Sequence, residues 1–129
     1  NIYNLKTEIR LHELSEEGDN IPFRASAIPQ HHAYGYHGYR FEIDGKIIAY
    51  TGDCGVSDGL NKLAENADVL ITECNNKETP QDDPWGHLDP YLASKVAKES
   101  GVRQLILTHF GPINYPTSGD RQWVTDQAR

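Results

Sequence analysis

Hydrophobic and polar positions change their spacing partway along this chain. Residues Lys6 to Leu14 alternate loosely, and after the polar break Ser15 to Asn20 a second β-rich stretch runs from Phe23 to Ile28. Tyr39–Ile43 and Lys46–Thr51 flank Asp44-Gly45, a dipeptide suited to the positive φ angles of a two-residue hairpin turn. Four strands are expected by Thr51. From Gly55 the apolar residues Leu60, Leu63, Ala64 and Ala67 fall at helical spacing, and Asp68–Glu73 is a short buried-strand run. A second helix is punctuated at both ends: Asp89 is placed to cap, Pro90 takes the first helical position, Ala93, Val96 and Ala97 share a face, and Gly101 stands just past the end. Val102 to Thr108 reads as another buried strand, and Trp123–Ala128 as the start of a terminal helix. The stretch from Asn75 to Trp85 and the chain after Gly111 are rich in Pro, Asn and Asp and read as loops. The expected fold is α/β with a mixed sheet, antiparallel in its first part and parallel later, with helices on one face.

Composition narrows what such a fold does. At 129 residues there is room for one domain or part of a larger one, and no repeat or low-complexity tract occurs. Twelve Lys and Arg against 19 Asp and Glu leave a formal charge of −7, which disfavours a broad phosphate-binding face but not a small site that holds cations. No apolar run approaches the ~20 residues that span a bilayer, and the start does not resemble a signal peptide. A soluble cytoplasmic protein with no membrane partner is the expectation. Cys54 and Cys74, too few for a disulfide scaffold and not spaced as a zinc knuckle, suit a reducing compartment. The chain contains no Met, so its translation start is expected upstream of Asn1.

Candidate chemistry gathers where strands are expected to end, because side chains there converge on a crevice while the sheet holds them rigid. Asp53 follows Gly52 directly after a strand, and a carboxylate there can serve two divalent metals, one oxygen each; the alternative is a turn residue accepting N–H bonds at the start of the next helix. His109 ends Leu105-Ile-Leu-Thr-His109 and is placed either as a zinc ligand or as a partly buried, hydrogen-bonded histidine. Glu73 ends the strand between them. Of the six histidines, His12 lies in a strand pattern, and His31, His32 and His37 share a Tyr- and His-rich loop that equally suits a polar binding surface. His87 precedes a helix cap, where a hydrogen-bonded loop side chain is the plainer account. Together, Asp and His at successive strand ends form a borderline-hard donor set suited to Zn²⁺ or Mn²⁺.

Four segments in order carry a family likeness: His32-x5-Gly38-Tyr39-Arg40-Phe41-Glu42, Asp44-Gly-Lys-Ile-Ile-Ala-Tyr-Thr-Gly-Asp53, Gly86-His87-Leu88, and Leu105-Ile-Leu-Thr-His109-Phe110. From about Phe23 to Pro112 the chain resembles the metallo-β-lactamase-fold hydrolases. The nearest branch is similar to ribonuclease Z, the tRNA 3′-processing endonuclease, with related phosphodiesterases and arylsulfatase-like enzymes. The resemblance implies a metal role for His32, completing one site, for Asp53, bridging two ions, and for His109, the last ligand of the second. It implies that His87 contacts the scissile group and protonates the leaving oxygen, and that Glu73 supports the catalytic machinery by orienting His87 or another ligand. The family's His-x-His-x-Asp-His cluster is not in these 129 residues, so the chain is expected to be the carboxyl half of an αββα sandwich, without the first half and without the last elements. Cys54 stands where the family commonly has Thr, either as a neutral replacement or as a soft ligand or oxidation-sensitive group.

A complete site of that kind holds two Zn²⁺, with Mn²⁺ as a substitute, and attacks its substrate with a hydroxide held between the ions. A small-molecule phosphodiester or related ester is the favoured substrate, and an RNA 3′ end the less favoured one given the acidic balance. The rival reading is a non-catalytic half-fold or a metal- or partner-binding module, with Tyr34, Tyr36 and Tyr39 as anchors. Oligomeric state stays open, a homodimer included.

Overall fold

The structure, a computed structural model, describes residues 23–80 and 83–128. Five strands form one sheet in the order in which they occur: β1 (Arg24–Pro29), β2 (His37–Ile43), β3 (Lys46–Tyr50), β4 (Val69–Glu73) and β5 (Gln104–Thr108). β1, β2 and β3 pair antiparallel, and β3, β4 and β5 pair parallel. The change of sense has a simple cause. Asp44 and Gly45, at φ 50° and 73°, make the tight turn between β2 and β3, whereas α1 (Asp58–Ala64) and α2 (Pro90–Glu99) carry the chain back over the sheet between the parallel strands. The architecture is a mixed α/β sheet, antiparallel in its first part and parallel later, as the sequence pattern predicts. The fourth early strand expected over Lys6–Leu14, and His12 with it, lies outside the described residues.

Both helices pack on one face. Leu60, Leu63 and Ala64 of α1 and Ala93, Val96 and Ala97 of α2 are buried against Ala49 and Leu70, with Leu105 and Leu107 closing the core. Ala49, Leu70 and Leu105 sit opposite one another along the pairing register, so one row of the sheet is apolar towards the helices. Arg40 lies on this same face and donates to the Leu63 carbonyl at 2.8 Å, tying the C-terminal end of α1 to β2. The other face carries Phe41, Ile48 and Val69 in one row and Tyr39, Tyr50, Ile71 and Ile106 in the next, only part-covered, with Tyr50 and Ile106 about two-fifths exposed. Such a continuous apolar surface is what the inner face of a two-sheet sandwich presents.

Two helix boundaries differ from the sequence expectation. α1 is capped by Ser57, whose side chain accepts the Leu60 N–H, and it stops at Ala64 because Asn66 turns to φ 51°; Ala67 is buried beyond the helix rather than on it. α2 runs as read, with Asp89 accepting the Leu92 N–H at 2.8 Å and Gly101 past its end at φ 72°. α3 (Ser118–Gln127) begins five residues before Trp123, so Trp123–Ala128 is the last part of a helix, not the start of one. The reason is a reciprocal cap: the Thr117 hydroxyl accepts the Asp120 N–H, and the Asp120 carboxylate accepts the Thr117 N–H at 3.0 Å. Among the described residues no helix is long and apolar enough to cross a membrane.

Candidate active site

β3, β4 and β5 point the same way, so the residues that follow them, Thr51-Gly-Asp53, Glu73-Cys74 and Thr108-His109, emerge at one edge of the sheet. β2 runs the other way and brings the loop that precedes it, residues 30–36, to that same edge. His87 arrives from the segment before α2. Contacts link the imidazoles and the carboxylate into one chain. The rings of His32 and His87 are 5.1 Å apart between centroids, those of His87 and His109 are 6.1 Å apart, and His109 Nδ1 lies 3.1 Å from Asp53 Oδ1. All five residues singled out in the sequence therefore sit together, while His31 and His37 from the same loop stand exposed outside this chain of contacts.

Glu73 and Asp53 are both carboxylates at strand ends, yet their surroundings separate their roles. Glu73 is buried, and each of its oxygens has two partners: Oε1 accepts the Cys54 N–H at 3.0 Å and meets His87 Nδ1 at 2.5 Å, and Oε2 accepts the N–H groups of Asn75 at 2.9 Å and Leu88 at 3.3 Å. Its lone pairs are fully engaged. Although ligand atoms of Glu73, His87 and His109 lie within 4.8 Å of one another, a metal at that triple would have to displace these bonds. The geometry suits Glu73 to orientation: it accepts from His87 Nδ1 and leaves Nε2 as the free edge of that ring. Asp53, by contrast, has an oxygen with no hydrogen bond from the described residues and a side chain about one-third exposed. Ser57, not Asp53, caps the following helix, so the turn-residue account of Asp53 lacks its helix.

His32 passes a separate test. Its Nδ1 accepts the Ala33 N–H at 2.8 Å, while Nε2 is buried without a partner. An unpaired buried polar atom costs about 1–3 kcal/mol, a deficit that a cation removes. Ligation through Nε2 moves the ring proton to Nδ1, so the Ala33 contact is one that a metal-bound ring gives up. The donor types of His32, Asp53 and His109, two imidazoles and one carboxylate, are those a borderline divalent ion takes, His32 offering Nε2 once its ring proton moves to Nδ1.

Cys54 belongs to the core. It is fully buried among Leu60, Leu63 and Leu88, and burial pushes its thiol up to about 12, the Thr51 hydroxyl only partly offsetting this. Its place in this apolar cluster is that of a small core side chain, in keeping with the neutral-replacement reading of the position. Burial likewise raises Cys74, to about 11.

The supporting residues were not legible in the sequence. Tyr115, completely buried, donates its hydroxyl to the Asn76 carbonyl, Asn114 Nδ2 donates to the Asn75 carbonyl at 2.8 Å, and the Cys74 N–H reaches Thr108 O at 2.9 Å. These bonds fix the end of β4 against the end of β5, and a side chain at Gly111 would place a Cβ 2.7 Å from the Asn75 carbonyl oxygen. Asp83 does the same for His87. Its Oδ1 accepts the Trp85 N–H at 3.0 Å and its Oδ2 the His87 N–H at 3.1 Å, an arrangement that the Asp83-Pro84 pair signals as a turn start. Burial raises the Asp83 carboxyl, but the N–H groups of Trp85 and His87 outweigh it and hold it below 3.8. A depressed folded-state pKa means stabilisation that is complete above 3.8 and is lost as pH falls through the lowered value. The difference in Tm between wild type and Asp83→Ala is therefore expected to be widest near neutral pH and to shrink below pH 3.8, read by thermal unfolding at several pH values. A gap that stays constant on acidification contradicts this.

The fold and the His and Asp side chains define a mixed-sheet scaffold that gathers its polar groups at the strand ends. Residues 3–110 match the family described as "Beta-lactamase superfamily domain", and the chain belongs to it. It is 43% identical over 74 residues to ribonuclease Z of Salinispora arenicola, an overlap of 56% of this chain and 24% of that protein. Among solved structures, the metallo-β-lactamase fold protein YhfI of Bacillus subtilis superposes with a TM-score of 0.73 at 26% identity, over 91% of this chain and 46% of that one. Human tRNase Z, short form, superposes with a TM-score of 0.63 at 32% identity, over 72% of this chain and 38% of that one. The first curated relatives are matched over 24% to 38% of their own length.

Proposed function

We propose that this chain supplies the carboxyl half of a cytoplasmic two-metal hydrolase acting on a phosphodiester or related ester. The observation that carries the reading is the convergence of His32, Asp53 and His109 on one sheet edge, beside a His87 whose Nδ1 is held by Glu73. His32, Asp53 and His109 would hold the ions, Zn²⁺ or Mn²⁺, together with ligands from the rest of the protein. What a divalent metal supplies there when bound is a nucleophile at neutral pH and neutralisation of the charge that develops at the reacting centre.

The protein's own groups supply the rest. Glu73 fixes the plane of the His87 ring, so that Nε2 can carry a proton to the leaving oxygen without first searching for its orientation. Three backbone N–H groups hold Glu73 itself in place, and Asp83 sets the height of His87 through its N–H. Substrate class is argued from charge: the −7 balance favours a small phosphodiester over a long polyanion, and the ribonuclease Z relatives keep an RNA 3′ end as the competitor to be tested.

The test begins with bis(p-nitrophenyl) phosphate and the full-length protein. Turnover should vanish on chelation and return with Zn²⁺ or Mn²⁺. His87→Ala should lower kcat by about 10²- to 10⁴-fold, the usual worth of a positioned general acid, with metal content by elemental analysis unchanged. Metal loss in His87→Ala as large as that in Asp53→Ala overturns the division of roles. A screen with clear lactonase turnover and no phosphodiesterase activity replaces the substrate class.

A further inference from the structure

We infer that Tyr34 and Trp85 form a stacking subsite for a flat aromatic ring carried beside the reacting ester. The subsite lies at the mouth of the same site, so its place in catalysis rests on the hydrolase reading, while its existence does not. The two rings come from different loops, residues 31–36 and 83–88, and their centroids are 6.2 Å apart with planes inclined at 47°. Trp85 lies 6.4 Å from His32, which is 5.1 Å from His87. A run of rings thus leads from solvent to the candidate general acid. Tyr34 is 80% exposed and Trp85 48%, so each offers ring face to a ligand.

Single exposed aromatics are ordinary, but two set side by side at a tilt on the rim of a histidine-lined site, with Tyr36 edge-on to His32 at 4.7 Å, make a directed patch. The loops that bear them are held. The Gln30 N–H meets the Tyr36 carbonyl at 2.8 Å and closes the first loop, and the Trp85 N–H is taken by Asp83. Gly86, at φ 67°, lets the second loop lie directly against His31, where a Cβ would come within 2.8 Å of the imidazole Cδ2. The His31 backbone carbonyl in turn accepts the Gly55 N–H at 2.9 Å, so residue 31 joins the two loops at the β3 exit. Rings fixed in this way lose little freedom on binding. Charge points the same way, since a chain at −7 gains more by gripping the unreactive part of an anionic ester through uncharged ring faces than through phosphate contacts.

The ring can be a nucleobase or an aryl group, and the experiment separates them. Calorimetric titration of the metal-loaded full-length protein with adenosine 5′-monophosphate, phenyl phosphate and ribose 5-phosphate compares three phosphate monoesters that differ in the ring. At least one ring-bearing ligand should bind roughly five- to 100-fold tighter than ribose 5-phosphate, the range that base–aromatic stacking gives. Tyr34→Ala and Trp85→Ala should remove that advantage, Tyr34→Phe should keep it, and ribose 5-phosphate affinity should not change in any of them. Preference for the nucleotide alone assigns a nucleobase, and preference for phenyl phosphate alone an aryl group. Equal affinity for all three, or an advantage that survives both alanine variants, overturns the subsite. Ring-dependent binding without hydrolysis of any ester leaves the subsite standing and removes the hydrolase reading; turnover indifferent to the ring does the reverse.

Discussion

Asp53→Ala should lose both metal and hydrolysis while its metal-free form unfolds close to the temperature of the metal-free wild type. Asp53 is the carboxylate at this sheet edge with an uncommitted oxygen, because Glu73 spends all of its lone pairs on Cys54, Asn75, Leu88 and His87. Without it the donor set offered by the described residues falls to two neutral imidazoles, and His109 Nδ1 loses its partner at 3.1 Å. Removing a group that merely supports a ligand costs about 10- to 100-fold in metal affinity or activity, and removing an anionic ligand outright should exceed that. The fold should be nearly indifferent, since the side chain is about one-third exposed and caps no helix. Asp53→Asn separates charge from shape: it keeps an oxygen for His109 and should lose metal all the same. Full metal occupancy in both variants by elemental analysis, with normal turnover, would sink the assignment.

Glu73→Ala should do the opposite, damaging the fold first. The deletion strands the N–H groups of Cys54, Asn75 and Leu88 and the Nδ1 of His87 in a region from which water is excluded. Breaking a buried, fully paired carboxylate typically costs about 3–5 kcal/mol, which for a domain of this size lowers Tm by roughly 10–20 °C. Glu73→Gln gives the finer readout. The amide keeps one accepting oxygen but turns an NH₂ towards groups that are themselves donors, so kcat should fall more than KM rises, and the downfield proton NMR signal of a hydrogen-bonded His87 Nδ1–H should disappear. A Glu73→Gln protein with wild-type kcat and that signal intact would show that Glu73 serves the fold alone.

The elements were readable where one local rule decided them. Asp44-Gly45 announced the β2–β3 turn, Asp89-Pro90 and Gly101 bounded α2, and the apolar runs of β4 and β5 have few other uses. Reading failed where two local signals competed or where the signal was reciprocal. Ala67 kept helical spacing although Asn66 had already turned the chain out of α1, and the Thr117–Asp120 cap begins α3 in a stretch whose apolar pattern is weak. Strand ends also pointed to Asp53, Glu73 and His109, because sheet topology converts sequence position into spatial convergence. The difference between the two carboxylates was not readable, since it depends on backbone N–H groups contributed by residues 54, 75 and 88, and no side-chain pattern records where those point. Nor was the split among the three tyrosines. Tyr34 and Tyr36 border the site, while Tyr39 lies on the open sheet face stacked on Phe41.

His109 is the first residue beyond the parallel strand β5 and the one site residue whose own backbone stands in the left-handed region, at φ 49°. For a side chain with a Cβ that conformation costs about 1–2 kcal/mol, which glycine does not incur. Drift at this codon therefore has a downhill direction: replacing the histidine by glycine relieves the chain locally while removing an imidazole from the site. Stability alone would let the position slide towards glycine, and only a demand on the ring itself holds histidine there. Among natural variants of this chain, those that have abandoned the site should show it first as a glycine or asparagine at position 109, in a sheet that is otherwise intact.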